Sequence, residues 1–89
     1  MRSIVQSRQF RRDFKRMKRR GEDVHKIFLT VGLLMRSGDL TSKMRPHKLA
    51  GEWAGFYESH LEPDWLLIYS VTDEEVCLVR TGIHADLLD

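Results

Sequence analysis

From Trp65 to Val71 the chain runs WLLIYSV, apolar or aromatic at every position but Ser70. A strand sends alternate side chains to opposite faces, so a run this apolar has no face to give to water. It reads as a central strand, covered on both sides for much of its length. A partner follows at once: Thr72 to Glu74 can form a tight turn, and VCLVRTG then sets Val76, Leu78 and Arg80 on one face. Upstream, WAGFYESHL also alternates, with Trp53, Gly55, Tyr57 and Ser59 on one side and Ala54, Phe56, Glu58 and His60 on the other. Glu62 and Pro63 make the turn between these strands.

Everything before Trp53 has a different rhythm. Ser3 to Ser7 allows a brief strand, suited to an edge, with Ser7 placed to cap a helix from Arg8. In that helix Phe10, Phe14 and Met17 form one stripe, while Arg8, Arg11, Arg12, Lys15, Arg16, Lys18 and Arg19 occupy the remaining surface. Gly21 interrupts it. Asp23 is positioned to cap a second helix whose face is Val24, Ile27, Phe28, Val31, Leu34 and Met35, stopped by Gly38. His25, outside that set, is a surface residue. The stretch from Asp39 to Glu52 reads as a loop, and HADLLD at the end as a packed turn or short strand. Two amphipathic helices need cover, and the strands supply it. The expected fold is therefore α+β, a small antiparallel sheet with an N-terminal helical hairpin packed on one face.

Residues 1–89 fit one domain, since a chain of this length has no room for two cores. No apolar stretch reaches the roughly 18 residues of a membrane span, and MRSIVQSRQF lacks the apolar segment of a signal peptide, so a cytoplasmic location without membrane contact is expected. The single Cys77 excludes an internal disulfide and reads as a small buried side chain. Charge is unevenly distributed: residues 1–20 hold nine Arg or Lys against Asp13 alone. Such an end can face a polyanion, or simply be a solvated helix face.

His47, His60, Asp64, Arg80 and His84 carry the chemistry. Pro63 argues against a helix through His60 and Asp64, which a turn instead brings together. Histidine exchanges protons near neutral pH, and arginine holds phosphate without losing its own proton. Together they are the minimum kit for cleaving RNA without a metal: one group takes the ribose 2′-hydroxyl proton, another protonates the 5′-leaving oxygen, and a cation offsets charge on the phosphate. Each residue also has a plainer use: His47 as a solvated loop residue, His60 and His84 as strand-end residues, Asp64 as a turn former, Arg80 as an ion-pair partner. Three histidines and an aspartate could also supply a zinc shell, but no short ligand pair is present and the RNA chemistry requires neither metal nor cofactor. Trp53, Tyr57, Trp65 and Tyr69 could stack on bases, though aromatics at strand spacing more often pack in a core.

The run from HKLAGEW through FYESHLEPDWLLIYSVTDEEVCLVRTGIHADLL resembles the YafQ-type toxins of the RelE/ParE toxin–antitoxin superfamily. The carriers of the resemblance are H-x-x-P-D-W and the later R-T-G-x-H, and the strand and helix pair before them resemble the family's N-terminal half. This resemblance implies a RelE/ParE-like fold and a ribosome-dependent endoribonuclease acting on mRNA, neutralised by a cognate antitoxin. It implies catalytic roles for His47, His60, Asp64, Arg80 as phosphate-binding arginine, and His84, favoured as general acid. It also gives the basic residues a use: Arg11, Arg12, Lys15, Arg16, Lys18 and Arg19 on the helix, with Lys43, Arg45 and Lys48 in the loop, would bind ribosomal RNA or message, and Trp65 would lie near the site. One departure is Leu88, where relatives carry an aromatic ring. Two other readings stand beside this one, a non-enzymatic inhibitor of DNA gyrase on the same fold and a small RNA-binding protein.

Overall fold

The computed structural model describes residues 1–87. The strands are β1 (Ser3–Gln6), β2 (His47–Lys48), β3 (Tyr57–Glu62), β4 (Trp65–Val71) and β5 (Glu75–Gly82); the helices are α1 (Arg8–Arg19), α2 (His25–Ser37) and the single turn α3 (His84–Leu87). They form one five-stranded sheet in the order β1-β5-β4-β3-β2. β4 is flanked on both sides, and Trp65 to Tyr69 are all buried.

The expected antiparallel sheet needs one correction. β2 to β5 pair antiparallel, but β1 lies parallel to β5, with Ser3 opposite Glu75 and Gln6 opposite Leu78. The two helices intervene between β1 and the rest, and a crossover of that kind returns the chain in the same direction. The sheet is therefore mixed, with β1 at its edge as expected.

Alternation along β4 sorts the core into two halves. Trp65, Leu67 and Tyr69 meet Phe10, Met17, Ile27, Val31 and Leu34 of the helical hairpin, together with Val76 and Leu78 of β5. Leu66 and Ile68 point the other way, where Leu87, Leu49, Trp53, Phe56 and Val79 make a smaller cover. Each fully buried aliphatic side chain contributes about 1.5–3 kcal/mol, so the helix-covered half carries most of the stability.

Local signals held in most places. Ser7 caps α1, its hydroxyl accepting from the Phe10 N–H at 2.9 Å. Gly38 ends α2 at φ +78°, where its N–H reaches the Leu34 carbonyl at 2.9 Å. Asp23 acts one residue outside the cap position, accepting the His25 N–H. Phe28, assigned to the buried stripe, is instead 58% exposed and packs at the surface against Phe14 and His25. The strand expected from Trp53 starts only at Tyr57, because Gly51 and Gly55 take φ +65° and +94° and bend the chain through a helical turn at Gly51–Trp53. That turn folds Trp53 and Phe56 over Leu66 and Ile68. His47, expected in a loop, lies in the two-residue strand β2.

Candidate active site

Cross-strand register assembles a row on the face away from the helical hairpin. His47 on β2 lies opposite Glu58 on β3, Glu58 opposite Ile68 on β4, and Ile68 opposite Arg80 on β5. The next row is His60, Leu66 and Gly82, and the chain leaves Gly82 to reach His84 at the start of α3. Five residues separated in sequence thus meet because four strands run in register. The His60 ring lies between the other two, its centroid 6.3 Å from that of His47 and 6.1 Å from that of His84.

Each ring is held at its Nδ1. The His60 Nδ1–H donates to the Pro63 carbonyl at 3.2 Å, since a carbonyl can only accept, and this tautomer leaves Nε2 with its lone pair. The His47 Nδ1–H similarly donates to the Arg45 carbonyl at 3.2 Å. Arg45 presents that carbonyl from a left-handed backbone at φ +50°, a conformation costing a non-glycine residue about 1 kcal/mol or more. His84 is held by Asp64, whose Oδ1 accepts both the His84 Nδ1–H and its backbone N–H, the latter at 3.2 Å. The hydrogen bond from the His84 ring, then the one from its backbone, holds the Asp64 carboxyl below its usual range. The same pair of hydrogen bonds fixes the orientation of the His84 ring, with Nδ1–H turned to Asp64 and Nε2 to the open face.

Glu58 is the residue that the sequence reading missed. It is 5% exposed, and its Oε1 lies 3.1 Å from His47 Nε2 and 3.9 Å from His60 Nε2. Its strand parity with His60 was legible, but its place opposite His47 depends on β2 pairing with β3, which two residues of strand do not announce.

Arg80 comes to the row by backbone register, yet its guanidinium turns back toward α1. Nε donates to Asp13 Oδ2 at 2.7 Å and Nη2 to Oδ1 at 3.3 Å. The planar fork expected for phosphate therefore faces a carboxylate, and Nη1 is outside that pair. Arg16, grouped with the RNA-facing residues, also turns inward, donating to Asp13 at 3.0 Å and lying 3.8 Å from Asp86. Arg11, Arg12, Lys15, Lys18 and Arg19 are exposed along α1. Lys43 and Arg45 line a shallow cleft with His60, Glu62 and Pro63, and Lys48 is exposed on β2 beside His47.

Trp65 requires a correction as an RNA-contacting residue. It is 2% exposed on the helix side, and its indole N–H donates to Thr81 Oγ1 at 2.9 Å. Strand alternation places it with Leu67 and Tyr69, away from His60, so it packs rather than stacks on a base. Tyr57 and Tyr69 stack on each other on that same side, and burial first, then the charges of Tyr57 and Asp39, push the Tyr69 hydroxyl up to about 12. Leu88 lies outside the described residues.

This arrangement of three histidines, two carboxylates and an arginine meets an independent finding: the family described as bacterial toxin of type II toxin–antitoxin system, YafQ, matches residues 2–89. The chain belongs to the YafQ family. An Escherichia coli (strain K12) relative named mRNA interferase toxin YafQ is 38% identical over 87 residues, covering 97% of this chain and 95% of that one. YafQ in the crystal structure of the E. coli DinJ–YafQ complex superposes with a TM-score of 0.91 at 37% identity, covering 100% of both chains. A metal-bound toxin from Helicobacter pylori superposes at 0.90 with 34% identity, covering 99% of this chain and 100% of that one. In the present YafQ-family chain, no three His, Cys, Asp or Glu side chains among the described residues are grouped so as to share an ion. No described helix is long and apolar enough to cross a membrane.

Proposed function

We propose that this toxin is an mRNA endoribonuclease that cuts message on the ribosome by acid–base chemistry and is held inactive by a cognate antitoxin. The observation that carries this reading is the line of three histidines on the open face, with His60 about 6 Å from each neighbour and His84 bonded to a carboxylate. A spacing near 6 Å lets two rings flank one phosphate, each within a hydrogen bond of a different ester oxygen.

The roles follow from the proton positions. His60 Nε2, free of a proton when Nδ1–H is bound to Pro63, accepts the proton of the ribose 2′-hydroxyl. The 2′-oxygen then bonds to phosphorus as the bond from phosphorus to the 5′-oxygen breaks, giving a 2′,3′-cyclic phosphate. His84, oriented by Asp64 at Nδ1, acts as the general acid and gives its Nε2 proton to the departing 5′-oxygen, leaving a 5′-hydroxyl end. His47, turned by Arg45 and Glu58, and Arg80 offset charge on the phosphate. No step in this sequence requires a metal.

Exposed Arg11, Arg12, Lys15, Lys18 and Arg19 would meet the ribosomal RNA backbone, with Lys43, Arg45 and Lys48 guiding message toward His60. The antitoxin reading draws on the DinJ–YafQ complexes of the E. coli relative. The test is a reconstituted translation mixture in which message ends are mapped and their chemistry determined. Cuts on ribosome-bound message that leave cyclic phosphate, lost in His60→Ala, are expected. Intact message, or cuts unchanged in that variant, would sink the assignment, and loss of supercoiling without RNA cleavage would favour a gyrase inhibitor.

A further inference from the structure

Asp13 is the only acidic residue among the first twenty, and it is completely buried. It accepts from Arg80 Nε at 2.7 Å and Nη2 at 3.3 Å, Arg16 Nη2 at 3.0 Å, Gln9 Nε2 at 3.2 Å and the Thr81 backbone N–H at 3.2 Å. The cause lies in the sheet. β1 pairs with β5 only as far as Leu78, so the later part of β5 has no strand on that side, and α1 runs beside it. Asp13 supplies the acceptor that a neighbouring strand would have offered to Thr81.

Stability alone does not account for a carboxylate here. Burying a charge costs several kcal/mol before its partners repay any of it, and well-packed apolar residues in place of a buried ion pair are often as stable or more so. An arginine on a stretch of strand with no neighbour on one side, by contrast, is a long side chain with about 2 kcal/mol of rotamer freedom. Two N–H bonds to one fixed carboxylate remove that freedom and set the guanidinium plane. We infer that Asp13 is a positioning residue for RNA cleavage: without touching substrate, it holds Arg80 in the one orientation that leaves Nη1 for the scissile phosphate. This rests on the ribonuclease reading above. It also makes α1 a rigid link, carrying its basic surface outside and the anchor of the phosphate-binding arginine inside.

Asp13→Asn keeps the size and removes the charge. With saturating programmed ribosomes, its single-turnover cleavage rate should fall by about 10²-fold, the usual cost of a reacting or clamping group displaced by about an ångström. The ribosome concentration at half-maximal rate should stay unchanged, because the exposed face of α1 is intact. A folded Asp13→Asn protein that cleaves at the wild-type rate overturns the inference. A second measurement serves if that variant does not fold: in Arg80→Ala, Asp13 should still offer a guanidinium-sized slot, and added methylguanidinium should restore cleavage saturably. Absence of rescue in folded Arg80→Ala overturns the inference as well. Should the wild-type protein cut no message, the ribonuclease reading fails and takes this inference with it; a cutting wild type beside an equally active Asp13→Asn rejects the inference alone.

Discussion

The two faces of β4 are built from the same seven residues and do opposite work. On the hairpin side Trp65, Leu67 and Tyr69 interlock with the buried apolar side chains of α1, α2 and β5, and the Thr81 hydroxyl there is paired inward, accepting from Trp65 and donating to the Leu66 carbonyl at 2.8 Å. On the other side Leu66 and Ile68 support a thin cover, and the adjacent positions hold Glu58, His60 and Arg80. The difference shows a division of labour set by strand alternation. One face supplies the free energy of folding, and the other can then carry side chains that add little to it.

Substitutions on the two faces should separate stability from activity. His84→Ala should have the largest effect, lowering the cleavage rate by about 10²–10⁴-fold while leaving the unfolding midpoint near that of the wild type; a midpoint shift as large as that of a core substitution would erase the contrast. Leu67→Ala, on the hairpin face, should destabilise by about 2–5 kcal/mol in chemical denaturation, with the activity of the remaining folded molecules retained. Glu58→Gln tests the boundary between the two, since Glu58 is buried yet faces His47 and His60. It should slow cleavage by about tenfold or more without loss of stability, and a rate equal to wild type would remove Glu58 from the site.

Acid should produce the smallest change. Asp64 is lowered by its hydrogen bond from the His84 ring, and Asp86 by its hydrogen bond from Arg20 at 2.8 Å. Groups whose carboxyl is more acidic when folded stabilise fully above the ordinary carboxylate value near about 4, and that contribution is lost as pH falls through their lowered values. Unfolding free energy should therefore decline below about pH 4, and Asp86→Asn should flatten the decline. An identical acid profile in the variant would mean the Arg20 pair contributes nothing.

Elements with a repeating signal were legible in the sequence. The apolar run of β4, the turn at Pro63 and the α1 stripe needed only local periodicity, and His60, Asp64 and His84 fell together once those strands were drawn. Features set by pairing were not. Nothing in Ser3 to Gln6 says that it runs parallel to β5, and nothing in His47–Lys48 says that it faces Glu58. Asp13 did leave a trace: three residues after Phe10 and four before Met17, it lies on the very stripe that those two bury. It was counted only as the lone acid among basic residues, with no place on the helix. Trp65 was placed near the site by the family resemblance alone, and strand alternation, which sets it with Leu67 and Tyr69, points it to the opposite face.

The parallel tie between β1 and β5 also bears on when this fold can exist. Ser3 finds its partner at Glu75, so the sheet joins residues near opposite ends of the chain. Contacts of that separation form late and slowly, because most of the chain must be ordered before they close. Arg80 and His84 come later still in sequence. A chain made from its N-terminus therefore lacks the strand that ties β1 into the sheet, together with Arg80 and His84, until residues beyond Gly82 have been added, so the row of reactive side chains closes only after most of the fold has been synthesised.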